Sequence, residues 1–457
     1  MQYRLNEQLA LRGWEDKPFA VQNLKSGQVF SLHEDAFRAL QFCNGVMDMD
    51  SVLIPGGYRK LTRAFAEQKL VDACAESRPL LPIQEYHSFP CYYIDSAHWS
   101  ITGACNMSCR HCFLSAPQAK FGELSHDACK SIIRQLGEAG VPTVSLTGGE
   151  PLVRGDFLEL VDALTEQGIR VAQIYTNGLL VDGALLDALD ARGIRPEFSL
   201  SFDGVGWHSW LRGTKGAEQR ATDAIYLLRS RGFSVAVESA FHRGSIGSMS
   251  ETLLLLAELG VAHWKVNPVS SSGNWLAEDA SLNVSPEELY DAYLELIARY
   301  FEEGSPLTMM LGGFFRCSKG SKEYDIPCKK QGSEEDLLCS STRNTLYIAA
   351  DGKLLPCMPL SGLPIQDEMP SLCDITLTEA LSGSRYSERI QTPVSTLLEH
   401  NPACAACEYR TQCGGGCRAA ALAANADNDY LGRDPATCAF FKGGYEDRIR
   451  GVAEQYA

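Results

Sequence analysis

From residue 91 to about 303 the chain alternates two hydrophobic patterns. Short apolar runs alternate with longer stretches whose apolar residues recur every three or four positions. The runs predict strands at 99–102, 143–146, 171–175, 197–202, 235–240 and 264–266. The periodic stretches predict helices at 125–139, 156–167, 183–191, 217–231, 248–259 and 285–301. The last is the clearest: Ser285 and Glu288 form a capping box. Behind them Leu289, Ala292, Tyr293, Leu296, Ile297 and Tyr300 form one apolar stripe. Strand followed by helix, repeated, implies parallel strands joined by right-handed crossovers. Six such units are too few for a closed eight-stranded barrel. The expected fold is α/β, an open partial (β/α)6 barrel of the TIM type, with chemistry at the C-terminal ends of its strands.

The flanks read differently. In 1–90, alternating stretches at 19–24 and 28–32 surround Lys25-Ser26-Gly27 and predict a hairpin. Ala36, Phe37, Leu40 and Phe42 predict a helix ended by Gly45, and two further helices are expected at 50–53 and 59–69. Hairpin and helices together suggest a small winged-helix-like domain. Residues 304–338 form a bridge of weak periodicity. Residues 339–457 are dense in cysteine and turn signals, with few strong helices expected.

Charge and composition narrow the function. The formal charge of −16 lacks the basic footprint of general nucleic-acid binding. No apolar run approaches the ~18 residues that suggest a membrane span, and the N-terminus lacks the apolar core of a signal peptide. A cytoplasmic protein without nucleic-acid or membrane partners is expected. Seventeen cysteines are then better read as metal or cluster ligands than as disulfides. They cluster: three lie in 105–112 and ten between Cys317 and Cys438.

Cys105, Cys109 and Cys112 have the spacing CxxxCxxC and directly follow the first predicted strand. Three thiolates can hold three corners of a cubane iron–sulfur cluster and leave its fourth iron open. A zinc knot is the alternative, but zinc usually takes four ligands in CxxC pairs. The second strand ends in Thr147-Gly148-Gly149-Glu150-Pro151, where two glycines permit close backbone approach and Glu150 adds a carboxylate. The third ends in Tyr175-Thr176-Asn177-Gly178 and the fourth in Ser201-Phe202-Asp203-Gly204. Together these features resemble the radical S-adenosylmethionine (SAM) enzymes. The resemblance implies a catalytic 4Fe-4S cluster on Cys105, Cys109 and Cys112. It implies SAM held by Gly148, Gly149 and Glu150, with His111 near the adenine and Asn177, Ser201 and Asp203 lining the site. Ser201 and Asp203 are candidates for the ribose hydroxyls, because strand alternation places them on one face. Glu238 and Asn267, at later strand ends, are candidates to face substrate.

The C-terminal cysteines form a second pattern. Cys339 is followed by Cys357, by Cys404-x2-Cys407-x5-Cys413-x3-Cys417, and by Cys438. This resembles the seven-cysteine SPASM extension of radical SAM enzymes that mature peptides. The resemblance implies one auxiliary 4Fe-4S cluster on Cys404, Cys407, Cys413 and Cys438, and another on Cys339, Cys357 and Cys417. For the latter, Cys328 is the nearest thiol for the fourth position and Cys317 the next; an open site is the alternative. A zinc ribbon is the other reading of the set. Cys43, Cys74, Cys91, Cys129 and Cys373 stand alone and read as small core residues.

With its N-terminal part resembling peptide-recognition domains that add a leader peptide to a sheet edge, the chain resembles maturases of ribosomally synthesised peptides. Expected partners are a precursor peptide bound through its leader and a reductant such as flavodoxin or ferredoxin. The expected cofactors are three 4Fe-4S clusters and SAM. The expected reaction begins with hydrogen-atom abstraction by a 5′-deoxyadenosyl radical and ends in a thioether, carbon–carbon or carbon–oxygen crosslink. Alternatives are biosynthesis of a peptide-derived cofactor, a sulfatase-type formylglycine maturase, and a non-catalytic iron–sulfur or zinc scaffold. Met358 follows Cys357 where the sulfatase-maturing members have an Asp, which ranks that activity low.

Overall fold

All six predicted strand–helix repeats form, and in sequence order. A computed structural model describes residues 1–116, 120–327, 332–339, 341–425 and 429–456.

The N-terminal part opens with β1 (Gln2–Leu5), β2 (Leu9–Trp14), β3 (Lys17–Asn23) and β4 (Val29–Ser31). They are followed by α1 (Glu34–Phe42), β5 (Asn44–Asp48), α2 (Gly56–Glu67), β6 (Val71–Cys74) and β7 (His87–Ser88). The predicted hairpin is β3–β4, with Val21 opposite Phe30 and Gly27 at φ 77° in its turn. It lies in a four-stranded sheet of order β4-β3-β2-β7, while β5-β1-β6 form a second sheet. Two expectations fail here. Residues 50–53 form turns rather than a helix, and Gly45 lies inside β5 rather than ending α1. Leu5, Leu11, Val21, Phe37, Leu40, Phe65 and Val71 make the core of this part. It is not a separate bead. Trp14 belongs to the main core, stacks on Phe89 at 5.1 Å and donates Nε1–H to Ala139 O at 3.1 Å.

The barrel strands are β8 (Ser96–Ser100), β9 (Thr143–Thr147), β10 (Arg170–Thr176), β11 (Glu197–Ser201), β12 (Val235–Phe241) and β13 (His263–Pro268). Each pairs in parallel with the next. Trp99, Leu146, Phe198 and Trp264 alternate with polar neighbours and are fully buried. Strand alternation places the polar neighbours on the opposite face of the sheet.

The sheet does not stop at six strands. β14 (Thr308–Leu311) continues it in parallel beside β13, and β15 (Phe315–Cys317) and β16 (Tyr324–Asp325) add antiparallel strands. At the other edge β17 (Thr345–Ile348) runs parallel to β8 and pairs with β18 (Leu354–Leu355). The bridge expected at 304–338 is therefore partly sheet, and the Cys-rich region contributes a barrel strand. The full order is β16-β15-β14-β13-β12-β11-β10-β9-β8-β17-β18. Beyond β18 the chain folds into short helices such as Leu377–Gly383, Arg385–Ile390 and Pro435–Lys442, more helix than its turn signals predict. Among the described residues no helix is long and apolar enough to cross a membrane.

Candidate active site

The ends of β8, β9, β10 and β11 carry every residue assigned above to the first site. Cys105, Cys109 and Cys112 lie on the irregular loop after β8. The loop is pinned from below by Met107, which is buried with Cys109 and Ala217 and packed by Cys105, Cys112 and Leu179. It is pinned from the side by Arg110, whose N–H donates to Leu211 O at 2.9 Å and whose guanidinium pairs with Glu278 at 2.9 Å. Asn274 donates to Cys112 O through its backbone and to Cys109 O through its side chain, both at 3.0 Å. The three thiols are close enough to influence one another: burial pushes Cys105 up to about 11, and Cys109 and Cys112 add to the shift.

The two glycines after β9 meet this loop. A Cβ on Gly148 would stand 2.4 Å from Thr102 O, and one on Gly149 would stand 2.2 Å from Ala104 O. Gly149 N and Glu150 N donate to those same carbonyls at 2.8 Å. The close approach is thus to the cysteine loop itself, and any side chain would push the loop off the strand end. Glu150 is fully buried. It accepts from Leu152 N at 3.1 Å, Thr176 Oγ1 at 2.9 Å and Asn177 N at 2.7 Å, tying β9 to β10. Burial pushes its carboxyl up to about 7 against the pull of those three donors. Asn177 reaches across to Asn106 Oδ1 at 2.7 Å.

Ser201 is half-buried at the end of β11. Asp203 differs from its expected role. It is fully buried, accepts two bonds from Arg212 at 2.6 and 3.1 Å and one from Ala240 N at 3.0 Å, and stands 3.2 Å from His208 Nδ1. Burial opposes its charge, but Arg212 and His208 outweigh it and hold the carboxyl far below the usual range. Its lone pairs are spent inside the protein, so here it orients Arg212 instead of presenting itself to a ribose. Farther along the sheet, Lys265 pairs with Glu238 at 3.2 Å from opposed positions on β13 and β12, and Asn267 lies half-buried above them.

The donor set suits the implied group. Three thiols pack around one loop and influence one another, His111 Nδ1 is buried with no partner among the described residues, and a guanidinium faces Cys109. Burial, aided by Arg212, takes the His111 imidazole down to about 4, so it stands neutral. Among the described residues no three Cys, His, Asp or Glu side chains stand as close as one metal ion needs. A cluster, whose thiolates sit on different irons, does not require that closeness.

Several of the C-terminal cysteines influence one another electrostatically. The thiol of Cys357, pushed up first by burial, is raised further by Cys417 and Cys339. Cys413, raised to about 12 by burial, also feels Cys438 and Cys404, and Cys404 feels Cys407. Cys328 lies outside the described residues. Of the lone cysteines, Cys43, Cys91 and Cys129 are buried, but Cys74 is half-buried and Cys373 exposed, so the core reading fails for those two.

Several positioning residues carried no motif. Arg212 and His208 frame Asp203. Asp434, nearly fully buried, caps the helix bearing Cys438 through Ala436 N at 2.9 Å and accepts from Cys417 N at 2.8 Å. Gly414, Gly415 and Gly416, all at positive φ, make the turn between Cys413 and Cys417. Three consecutive glycines were the visible signal for that turn.

Comparison with known proteins agrees with this geometry. The Radical SAM superfamily model matches residues 99–247, from the first barrel strand past the fifth. The chain carries a Radical SAM domain and is an enzyme. It is 28% identical over 351 residues to an AdoMet-dependent heme synthase of Methanosarcina barkeri, covering 74% of this chain and 94% of that protein. It is 27% identical over 361 residues to a PqqA peptide cyclase of Gluconobacter oxydans, covering 78% and 92%. In fold it is similar to Streptococcus suis SuiB bound to precursor peptide SuiA, with a TM-score of 0.64 over 96% of this chain and 100% of that one, at 16% identity.

Proposed function

We propose that this radical SAM enzyme is a maturase that crosslinks a ribosomally synthesised peptide, which it holds through a leader. The observation that carries this reading is the N-terminal part. Its four-stranded sheet ends in β4, an open edge with Phe30 about half exposed, and an extended peptide can add to such an edge. The fold likeness to SuiB spans nearly the whole chain, this part included; SuiB is described bound to a precursor peptide, and the other relative is named a PqqA peptide cyclase.

Under this reading Cys105, Cys109 and Cys112 hold the cluster that binds SAM. Bound there and reduced by one electron, SAM supplies a 5′-deoxyadenosyl radical able to take a hydrogen atom from an unactivated C–H. The chain's own residues do the rest. Gly148 and Gly149 fix the loop against the strand, Glu150 locks the neighbouring strand end, and His111 offers its free Nδ1. The polar inner face around Glu238 and Lys265 orients the peptide. Two further clusters, on Cys339, Cys357 and Cys417 and on Cys404, Cys407, Cys413 and Cys438, complete a total of three. A flavodoxin or ferredoxin is the proposed electron donor. The crosslink is a thioether, carbon–carbon or carbon–oxygen bond.

The heme synthase relative supports a second reading, in which the substrate is a tetrapyrrole. That relative matches 74% of this chain and the PqqA cyclase 78%, whereas the fold likeness to SuiB extends over 96%. The deciding experiment incubates reduced, reconstituted protein with SAM and the peptide encoded beside its gene. The expected product is 5′-deoxyadenosine together with peptide lacking a pair of hydrogen atoms. Phe30→Glu should abolish the peptide change while 5′-deoxyadenosine still forms. An unchanged peptide, with 5′-deoxyadenosine formation stimulated by a tetrapyrrole instead, would favour the second reading.

A further inference from the structure

The segment 208–213, between β11 and the following helix at Ala217–Ser230, is clamped to the cysteine loop at two points. Leu211 O accepts from Arg110 N at 2.9 Å. A Cβ on Gly213, which has φ 61°, would stand 2.5 Å from Ser108 O. Between these points Arg212 leaves the backbone and turns inward, with only 13% of its side chain exposed. Two of its nitrogens bind both oxygens of the fully buried Asp203. The third, Nη1, lies 3.9 Å from Cys109 Sγ. Asp203 is in turn fixed by Ala240 N at 3.0 Å. A fork-shaped cation is thus held rigidly, with one prong aimed at a thiol.

We propose that Arg212, oriented by Asp203, is a positioning residue that sets the reduction potential of the iron–sulfur cluster on Cys105, Cys109 and Cys112. The proposal rests on the ligation by those three thiols advanced above. Hydrogen bonds to ligand sulfur and local net charge are among the quantities that tune such clusters, and outer-shell partners deliver them. Reduction adds one electron to the cluster and makes or breaks no bond. The added negative charge appears close to the guanidinium, which therefore favours the reduced state. Asp203 opposes that effect, so the pair gives a graded field instead of a bare cation.

The opposed signs make the test. Arg212→Gln, Arg212→Lys and Asp203→Asn are prepared with the full cluster complement, and iron content is measured for each. Each is titrated anaerobically with dithionite in the presence of viologen mediators. The paramagnetic signal that changes on adding SAM is followed, which separates the catalytic cluster from the others. Arg212→Gln should move the midpoint to more negative potential by at least about 59 mV, one decade in the reduced-to-oxidised ratio for a one-electron couple. Asp203→Asn should move it the opposite way, and Arg212→Lys should stay nearer wild type than Arg212→Gln. If Arg212→Gln takes up no iron, Asp203→Asn decides alone: a positive shift supports the proposal, and no shift or a negative one overturns it. Midpoints moving in the same direction in Arg212→Gln and Asp203→Asn, or unchanged in both, also overturn it. If the SAM-responsive signal survives replacement of Cys105, Cys109 and Cys112, the ligation falls and the proposal with it. Loss of that signal in the triple variant beside unmoved midpoints would overturn the role of Arg212 alone.

Discussion

The two cysteine-bearing regions reach similar ends by different means. At the barrel mouth, three thiols share one loop of eight residues, and four parallel strand ends hold that loop in place. Glu150, Asn177 and Arg212 each come from a different connection and each reaches the loop or its neighbour. In the C-terminal region, among the described residues, no sheet strand lies within 404–438. The cysteines there sit on short helices and a run of positive-φ glycines, braced by Asp434. The first site is preformed by the architecture. The second is assembled from local turns, and the metal it is proposed to hold would supply much of its rigidity. Damage to the cysteines should therefore have separable consequences.

The largest effect separates the regions by chemistry. Replacing Cys105, Cys109 and Cys112 by Ala should remove about one third of the iron, on the order of four of twelve atoms, and all SAM cleavage. Replacing Cys413 by Ala should also lower iron but leave SAM cleavage measurable, while peptide modification fails. Iron analysis and 5′-deoxyadenosine assay check both. Full SAM cleavage by the triple variant would break the distinction.

A smaller effect tests the supporting backbone. Gly149→Ala puts a Cβ against the Ala104 carbonyl, backbone that cannot swing away, and should cost about 1–3 kcal/mol as an overpacked site, with SAM cleavage falling in parallel. Gly416→Ala meets the Asp434 carboxylate at 2.5 Å and forces a residue with a Cβ to φ 73°. It should cost about 1–2 kcal/mol and lower iron content while sparing SAM cleavage. Thermal unfolding with and without reconstitution measures both. Equal loss of SAM cleavage in the two variants would show that the regions are not independent.

The smallest effect concerns pH. Glu150 titrates near 7 in the folded chain, against 4.5 as its ordinary value. A carboxyl raised on folding binds more protons in the folded state. Its contribution is fully present below pH 4.5 and is lost as pH rises through 7. The loss is on the order of 3 kcal/mol if the shift is taken at face value. The thermal midpoint should decline across that window in the wild type, and Glu150→Gln should flatten the decline. An equal slope in the variant would remove Glu150 as its source.

What could be read from residues alone follows from how local each signal is. The six strand–helix units and the capping box at Ser285 are local periodicities, and they stand within a few residues of their expected positions. The strands β14 to β18 are two to four residues long, too short to show alternation, and pairing with the barrel edge makes them strands. The glycines of the TGGEP run were legible as a close approach, but what they approach lies more than forty residues away in sequence. Asp203 was visible as a strand-end carboxylate. Nothing local said that Arg212, nine residues on, would consume its lone pairs. That bond is tertiary and leaves no periodic trace.

Trp14 has a mechanical consequence. Its ring is sunk in the main core and its N–H is bonded to the helix end that leads into β9. The N-terminal sheet therefore cannot swing as a tethered arm would. A segment paired along β4 would be clamped at a constant distance from the barrel mouth, and an extended chain advances about 3.3 Å per residue. Position along the peptide would then be measured by counting residues from the clamp. Inserting or deleting residues between the clamped segment and the reacting one would move the chosen residue, much as a ruler laid from a fixed stop marks a different point when its scale is shifted.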